Sequence, residues 1–123
     1  MKRLIIDIDN TICVTNNQDY KNSLPDHDVI EKIHEYKNAG FEIVFFTSRN
    51  MRTHNGNLGL INKLTLPVIM QWLEKHSIHY DEIYVGKPWC GTDGFYVDDK
   101  AIRPDEFKSL SYEKIRLLIG EGL

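Results

Sequence analysis

Leu4-Ile5-Ile6-Asp7-Ile8-Asp9-Asn10-Thr11 is the stretch on which the reading of the whole chain turns. Leu4, Ile5 and Ile6 are consecutive rather than alternating with polar residues, which predicts a strand buried on both faces. Asp7 and Asp9 fall where that strand opens into a loop, with side chains able to converge on one ion. Two carboxylates this close repel each other, and a hard divalent cation with oxygen ligands is the natural neutraliser. A strand ending in an Asp-rich turn is the other reading, because Asp and Asn are common there. Residues further along decide between them.

The polar stretch over residues 15–23 predicts a surface loop or short hairpin beside the acidic pair, either a flap over a substrate or an ordinary connection. Asp26 or Asp28 can cap the next helix, with Asp28 and Glu31 spaced as in a capping box. Val29, Ile30, Ile33 and Tyr36 recur at helical spacing, and Gly40 ends the helix. Residues 41–46 form a second strand, apolar enough to be central, that runs into Thr47-Ser48-Arg49-Asn50. Strand, helix, strand at this spacing is a βαβ unit with a right-handed crossover and a parallel sheet. Ligands of such sheets lie beyond the carboxyl ends of the strands, which brings Asp7, Asp9 and Thr47 to one edge.

Residues 49–65, rich in Asn and Gly, predict a long loop of a kind often functional in a compact domain. Pro67 then opens a helix that turns Val68, Ile69, Trp72 and Leu73 to the core. Residues 81–85 read as a third strand, followed by Gly86-Lys87-Pro88-Trp89-Cys90-Gly91. Residues 94–97 read as a fourth, followed by Asp98-Asp99. From about Ser111 a last helix carries Tyr112, Ile115, Leu118 and Ile119 on one face.

The 123 residues suit one domain, 1–123, with a single core. A net charge of -3 argues against a nucleic-acid partner, which needs a basic footprint, but not against a small phosphorylated one, because a bound metal changes the local sign. No stretch approaches the roughly 18 apolar residues of a membrane helix. The apolar run after Arg3 is too short, and too interrupted by Asp7 and Asp9, for a signal peptide. No membrane partner is expected. Cys13 and Cys90 lack zinc-site spacing and read as free thiols of a reducing cytoplasm.

Asp-x-Asp, Thr/Ser, Lys and Asp-Asp therefore follow one another at the ends of successive predicted strands. This order, opened by Asp7-Ile8-Asp9-Asn10-Thr11, resembles the haloacid dehalogenase (HAD) superfamily of phosphotransferases, over nearly the whole chain from Leu4 to Asp99. The resemblance implies an α/β fold with a doubly wound, mostly parallel, HAD-like sheet and a Mg2+-dependent phosphatase activity. By it, Asp7 is the nucleophile that forms an aspartyl-phosphate, which splits a hard hydrolysis into two easier steps. Asp9 is the general acid that protonates the leaving oxygen and then activates water. Mg2+ prefers octahedral oxygen coordination, and the carboxylate of Asp7, the backbone carbonyl of Asp9 and the carboxylate of Asp98 correspond to its protein ligands. Thr47, with Ser48 in support, donates its hydroxyl to a phosphoryl oxygen, and Lys87 sets a positive charge against that group. Asp99 supports the metal shell or orients Lys87.

Arg49-Asn50-Met51-Arg52-Thr53 and Gly86-Lys87-Pro88-Trp89-Cys90-Gly91 look like a subgroup of short HAD proteins linked to bacterial capsular-polysaccharide synthesis. That likeness implies a phosphosugar or polyol phosphate as substrate. The gaps between motifs hold no large cap, so the crevice is open unless residues 16–22, residues 49–59 or a neighbouring subunit cover it. Water exclusion strengthens the electrostatics of such a site, so a homo-oligomer, a dimer or tetramer, is expected. Arg49, Asn50 and Arg52 are the substrate-side candidates, since an Arg fork suits phosphate or carboxylate, with plain surface charge as the other reading. A receiver-like phosphoacceptor module shares the acidic cluster, Thr/Ser and Lys, but carries its phosphoacceptor on a later strand. A phosphomutase needs a bisphosphate intermediate and usually a cap, which the short chain disfavours. A dinucleotide site lacks its Gly-x-Gly-x-x-Gly after the first strand.

Overall fold

The computed structural model describes residues 1–120 and falls into two compact units, Met1–Trp89 and Cys90–Leu123. The first is a small α/β unit around a three-stranded parallel sheet in the order β1 (Arg3–Ile6), β4 (Glu42–Thr47), β5 (Glu82–Val85). A two-stranded antiparallel hairpin, β2 (Cys13–Val14) with β3 (Leu24–Pro25), brackets the polar stretch, as the hairpin alternative expects. In β4, Ile43, Val44 and Phe45 are buried in succession, so the strand read as central is central. The first strand departs from its expectation. Ile6 is buried but Ile5 is 63% exposed, so β1 buries one face only and stands at the edge of the described sheet.

The helix α1 (His27–Asn38) buries Val29, Ile30, Ile33 and Tyr36, the four residues picked out by their spacing. Asp26 is its cap: the carboxylate accepts from the backbone N–H of Asp28 and Val29, both at 3.2 Å. Asp28 lies inside the first turn instead. At the other end Gly40, at φ +96°, donates to Lys37 O, and Phe41 N–H reaches back to Tyr36 O at 3.0 Å. This Schellman closure needs the left-handed conformation that glycine adopts without a Cβ penalty, and it aims the chain into β4.

The expected loop over residues 49–65 needs correcting in its second half. Helical backbone begins at α2 (Leu58–Leu60), capped by the Asn57 side chain, and passes through a π-helical turn (Ile61–Thr65) into α3 (Leu66–Lys75). Pro67 has no N–H for the ordinary helical bond and its ring crowds the carbonyl four residues back. The widened turn, with Leu66 N–H bonded to Ile61 O, accommodates it without ending the helix. Ile69, Trp72 and Leu73 are buried, and Trp72 Nε1 donates to Ser23 O at 2.9 Å, tying α3 to the end of the polar stretch.

The second unit holds α4 (Pro104–Ser109) and α5 (Tyr112–Leu118), the latter capped by Ser111. Of the apolar face expected on the last helix, Ile115 is buried while Tyr112 and Leu118 are exposed. The fourth strand expected over residues 94–97 is not formed: Phe95 is 79% and Val97 87% exposed, and the segment has no ladder. A short apolar run becomes a strand only where another strand takes up its backbone hydrogen bonds, and the second unit contains no other strand among the described residues. No helix among the described residues is long and apolar enough to cross a membrane.

Candidate active site

Because β1, β4 and β5 are parallel, their carboxyl ends share one edge of the sheet. Asp7 follows β1, Thr47 ends β4, and Lys87 stands two residues beyond β5. Lys87 N–H donates to Thr47 O at 3.1 Å, continuing the ladder past the end of β5. Gly86, at φ +87°, makes the turn between; a Cβ built there would lie 2.7 Å from Leu58 Cδ2. Lys87 Nζ comes 3.9 Å from Asp7 Oδ1, an ion pair joining the first strand to the third across eighty positions of sequence.

Thr11 Oγ1 donates to the other oxygen of Asp7 at 3.2 Å. Burial pushes the Asp7 carboxyl above its ordinary value of 3.8; Lys87, the Ile8 N–H and Thr11 pull it down, and Asp9 adds to the rise. Thr47 is buried, and its Oγ1 accepts from the Arg49 N–H at 3.0 Å, which fixes the turn after β4. Ser48 is half-buried, and its carbonyl accepts from Met51 N–H at 3.0 Å.

Asp9 has partners that sequence reasoning did not assign to it. Arg49 Nε donates to Asp9 Oδ2 and Arg49 Nη2 to Asp9 Oδ1, both at 2.9 Å. Thr15 Oγ1 donates to Oδ1 at 3.0 Å. The Arg49 side chain is 1% exposed, so this residue, expected on the substrate side with surface charge as the other reading, is turned inward onto Asp9. A carboxylate is the partner that makes burying a guanidinium tolerable. Asn50, at φ +61°, is also in use: its Oδ1 accepts from Thr65 Oγ1 at 2.7 Å and pins the loop to the π turn. Of the three substrate-side candidates only Arg52 is exposed, its guanidinium 5.4 Å from the Trp89 ring centre.

Asp98 and Asp99 lie in the second unit. Asp98 Oδ1 accepts from Lys100 N–H at 2.9 Å, and this bond, with one from Asp99, holds its carboxyl below the ordinary value. No group of three or more His, Cys, Asp or Glu among the described residues lies together as a ready metal site. Thr15, Tyr20 and Ser23 are the site-side residues the sequence did not single out. They lie in the polar stretch, where nothing in their spacing distinguishes them from loop.

Neither a family model nor a curated protein matches the chain. Among solved structures, the crystal structure of an MCSG target from Vibrio cholerae matches at 56% identity over 100% of both chains, with a TM-score of 0.96. A chain of the Pnkp1/Rnl/Hen1 complex matches at 19% identity and a TM-score of 0.51; the match covers 89% of this chain and 34% of that one, and it speaks to the fold alone. The chain belongs to the same protein family as the Vibrio cholerae protein.

Proposed function

We propose that the protein is a Mg2+-dependent phosphatase of the HAD type, with the doubly wound, mostly parallel sheet of that superfamily. It hydrolyses a small phosphomonoester through an aspartyl-phosphate on Asp7. The observation that carries the reading is the Lys87–Asp7 ion pair at 3.9 Å, spanning from β5 to β1 over the end of β4, where Thr47 stands. A carboxylate half-withdrawn from water, with an ammonium group beside it, suits attack on a phosphoryl group whose charge must be offset.

In the first step an Asp7 oxygen bonds to phosphorus as the ester P–O bond breaks, and Asp9 gives a proton to the departing oxygen. In the second, water attacks the phosphorus of the aspartyl-phosphate, Asp9 takes its proton, and the bond to Asp7 breaks. One water is consumed, and an alcohol and inorganic phosphate are released. In the first unit, the carboxylate of Asp7 and the backbone carbonyl of Asp9 are oxygens of the kind a hard cation takes, and they would hold it there. The upward push on Asp7 from burial is the kind of desolvation cost a divalent ion offsets. Bound Mg2+ supplies charge neutralisation between the attacking carboxylate and the phosphoryl oxygens.

The substrate proposed is a phosphosugar or polyol phosphate, as in capsular-polysaccharide synthesis, acted on in the cytoplasm. Support comes from the likeness of Arg49-Asn50-Met51-Arg52-Thr53 and the Lys87 loop to short HAD proteins, and from the exposed Arg52 beside Trp89. Incubation with p-nitrophenyl phosphate tests the activity. Phosphate release that needs Mg2+ and stops on chelation is expected; a single phosphorylation without turnover would favour the receiver-like module. We also propose a homo-oligomer, supported by the exposed Leu58, Leu60, Leu64 and Met70. Gel filtration should give a dimer or tetramer, and a fully active monomer would contradict it.

A further inference from the structure

Asp9 is held from two sides. On one side, Arg49 grips both carboxylate oxygens, and its guanidinium carbon lies over the Tyr20 ring, 4.3 Å from the ring centre, within cation–π range. On the other, Thr15 gives its only hydroxyl proton to Asp9, so the 2.6 Å bond between Thr15 and Ser23 has Ser23 as donor. Ser23 is buried and its carbonyl is held by Trp72 Nε1. Both ends of the polar stretch are thus fastened to one carboxylate, which itself keeps a quarter of its surface, 25%, exposed.

This arrangement is a poor investment for stability alone. Arg49 Nη1 is buried with no acceptor among the described residues, and a buried donor left without a partner is costly. An apolar side chain of similar volume is often at least as stabilising as a buried ion pair. What the fork and the ring contact do supply is a fixed direction for the Asp9 carboxylate.

We infer that Tyr20 and Arg49 are positioning residues for Asp9, and that the loop over residues 15–23 is part of the working site because Tyr20 fixes Arg49 and Arg49 fixes Asp9. The inference rests on the phosphatase reading. Its test uses full-length protein with Mg2+ and p-nitrophenyl phosphate. Tyr20→Phe, which keeps the ring, should match the wild type. Tyr20→Leu and Arg49→Lys, which lose the ring or the fork, should lower kcat roughly tenfold to a hundredfold while KM stays within about threefold. Because the two act through one carboxylate, the double variant should be no slower than the slower single. In metal-free protein, trypsin should cut after the exposed Lys21 several times faster in Tyr20→Leu than in wild type, on the order of the loosening of one local contact.

A kcat unchanged in Tyr20→Leu, a rise in KM with kcat intact, or losses that multiply in the double variant would overturn the inference. Should Arg49→Lys fail to fold, Tyr20→Leu against Tyr20→Phe decides alone. Wild-type protein that releases no phosphate would sink the phosphatase reading and this inference with it. Active wild type with an indifferent Tyr20 sinks only the inference.

Discussion

Asp7→Asn should cut phosphate release from p-nitrophenyl phosphate roughly a thousandfold or more, and in metal-free protein should raise the thermal unfolding midpoint at neutral pH. The first effect follows because an amide cannot form the acyl-phosphate. The second follows from the sign of the shift on Asp7, whose carboxyl is raised in the folded protein chiefly by burial. A raised carboxyl contributes stability that is fully present below its unfolded value, ordinarily 3.8, and is lost as pH rises through the folded value. At pH 7 the fold therefore carries an ionised, partly desolvated Asp7, and a neutral isostere relieves it. Activity of the wild type should fall at acid pH as Asp7 takes up a proton, since only the ionised carboxylate attacks. Scanning calorimetry beside the assay separates the cases. If Asp7→Asn lost stability along with activity, Asp7 would be a structural residue and not a nucleophile held at the fold's expense.

Lys87→Met should lower kcat by roughly a hundredfold to a thousandfold, the loss typical when one preorganised charge-stabilising group is removed. Methionine keeps the apolar stem and removes the ammonium, so the packing of the loop after Gly86 is preserved. Lys87 is also the strongest of the influences that pull the Asp7 carboxyl down. Without it the acid limb of the pH profile should move to higher pH, in addition to the fall in kcat. An unchanged profile in Lys87→Met would mean that the 3.9 Å pair has no bearing on Asp7.

Much of the first unit is legible in the chain because its signals are local. Helical spacing at Val29, Ile30, Ile33 and Tyr36, the acidic cap at Asp26 and the stop at Gly40 each act within one or two turns. The unbroken apolar run in β4 marks a central strand for the same reason. Residues 94–97 show the limit: four residues of apolar character say nothing about whether a partner strand takes up their backbone groups. Pro67 was legible as a helix-start residue, yet the π turn before it lets the helix begin nine residues earlier, at Leu58. At the site, Asp7, Thr47 and Lys87 could be placed together because parallel strands bring their ends to one edge. The fork from Arg49 to Asp9 could not, because it joins side chains forty positions apart, and no local pattern tells an inward Arg from one facing substrate.

The covalent state of Asp7 during turnover tests the central claim most directly. Protein quenched in acid while hydrolysing p-nitrophenyl phosphate, digested and mapped by mass spectrometry, should carry a hydroxylamine-labile phosphoryl group on the peptide containing Asp7, and none in Asp7→Asn. A phosphoryl group on another residue, or brisk turnover by Asp7→Asn, would contradict the account.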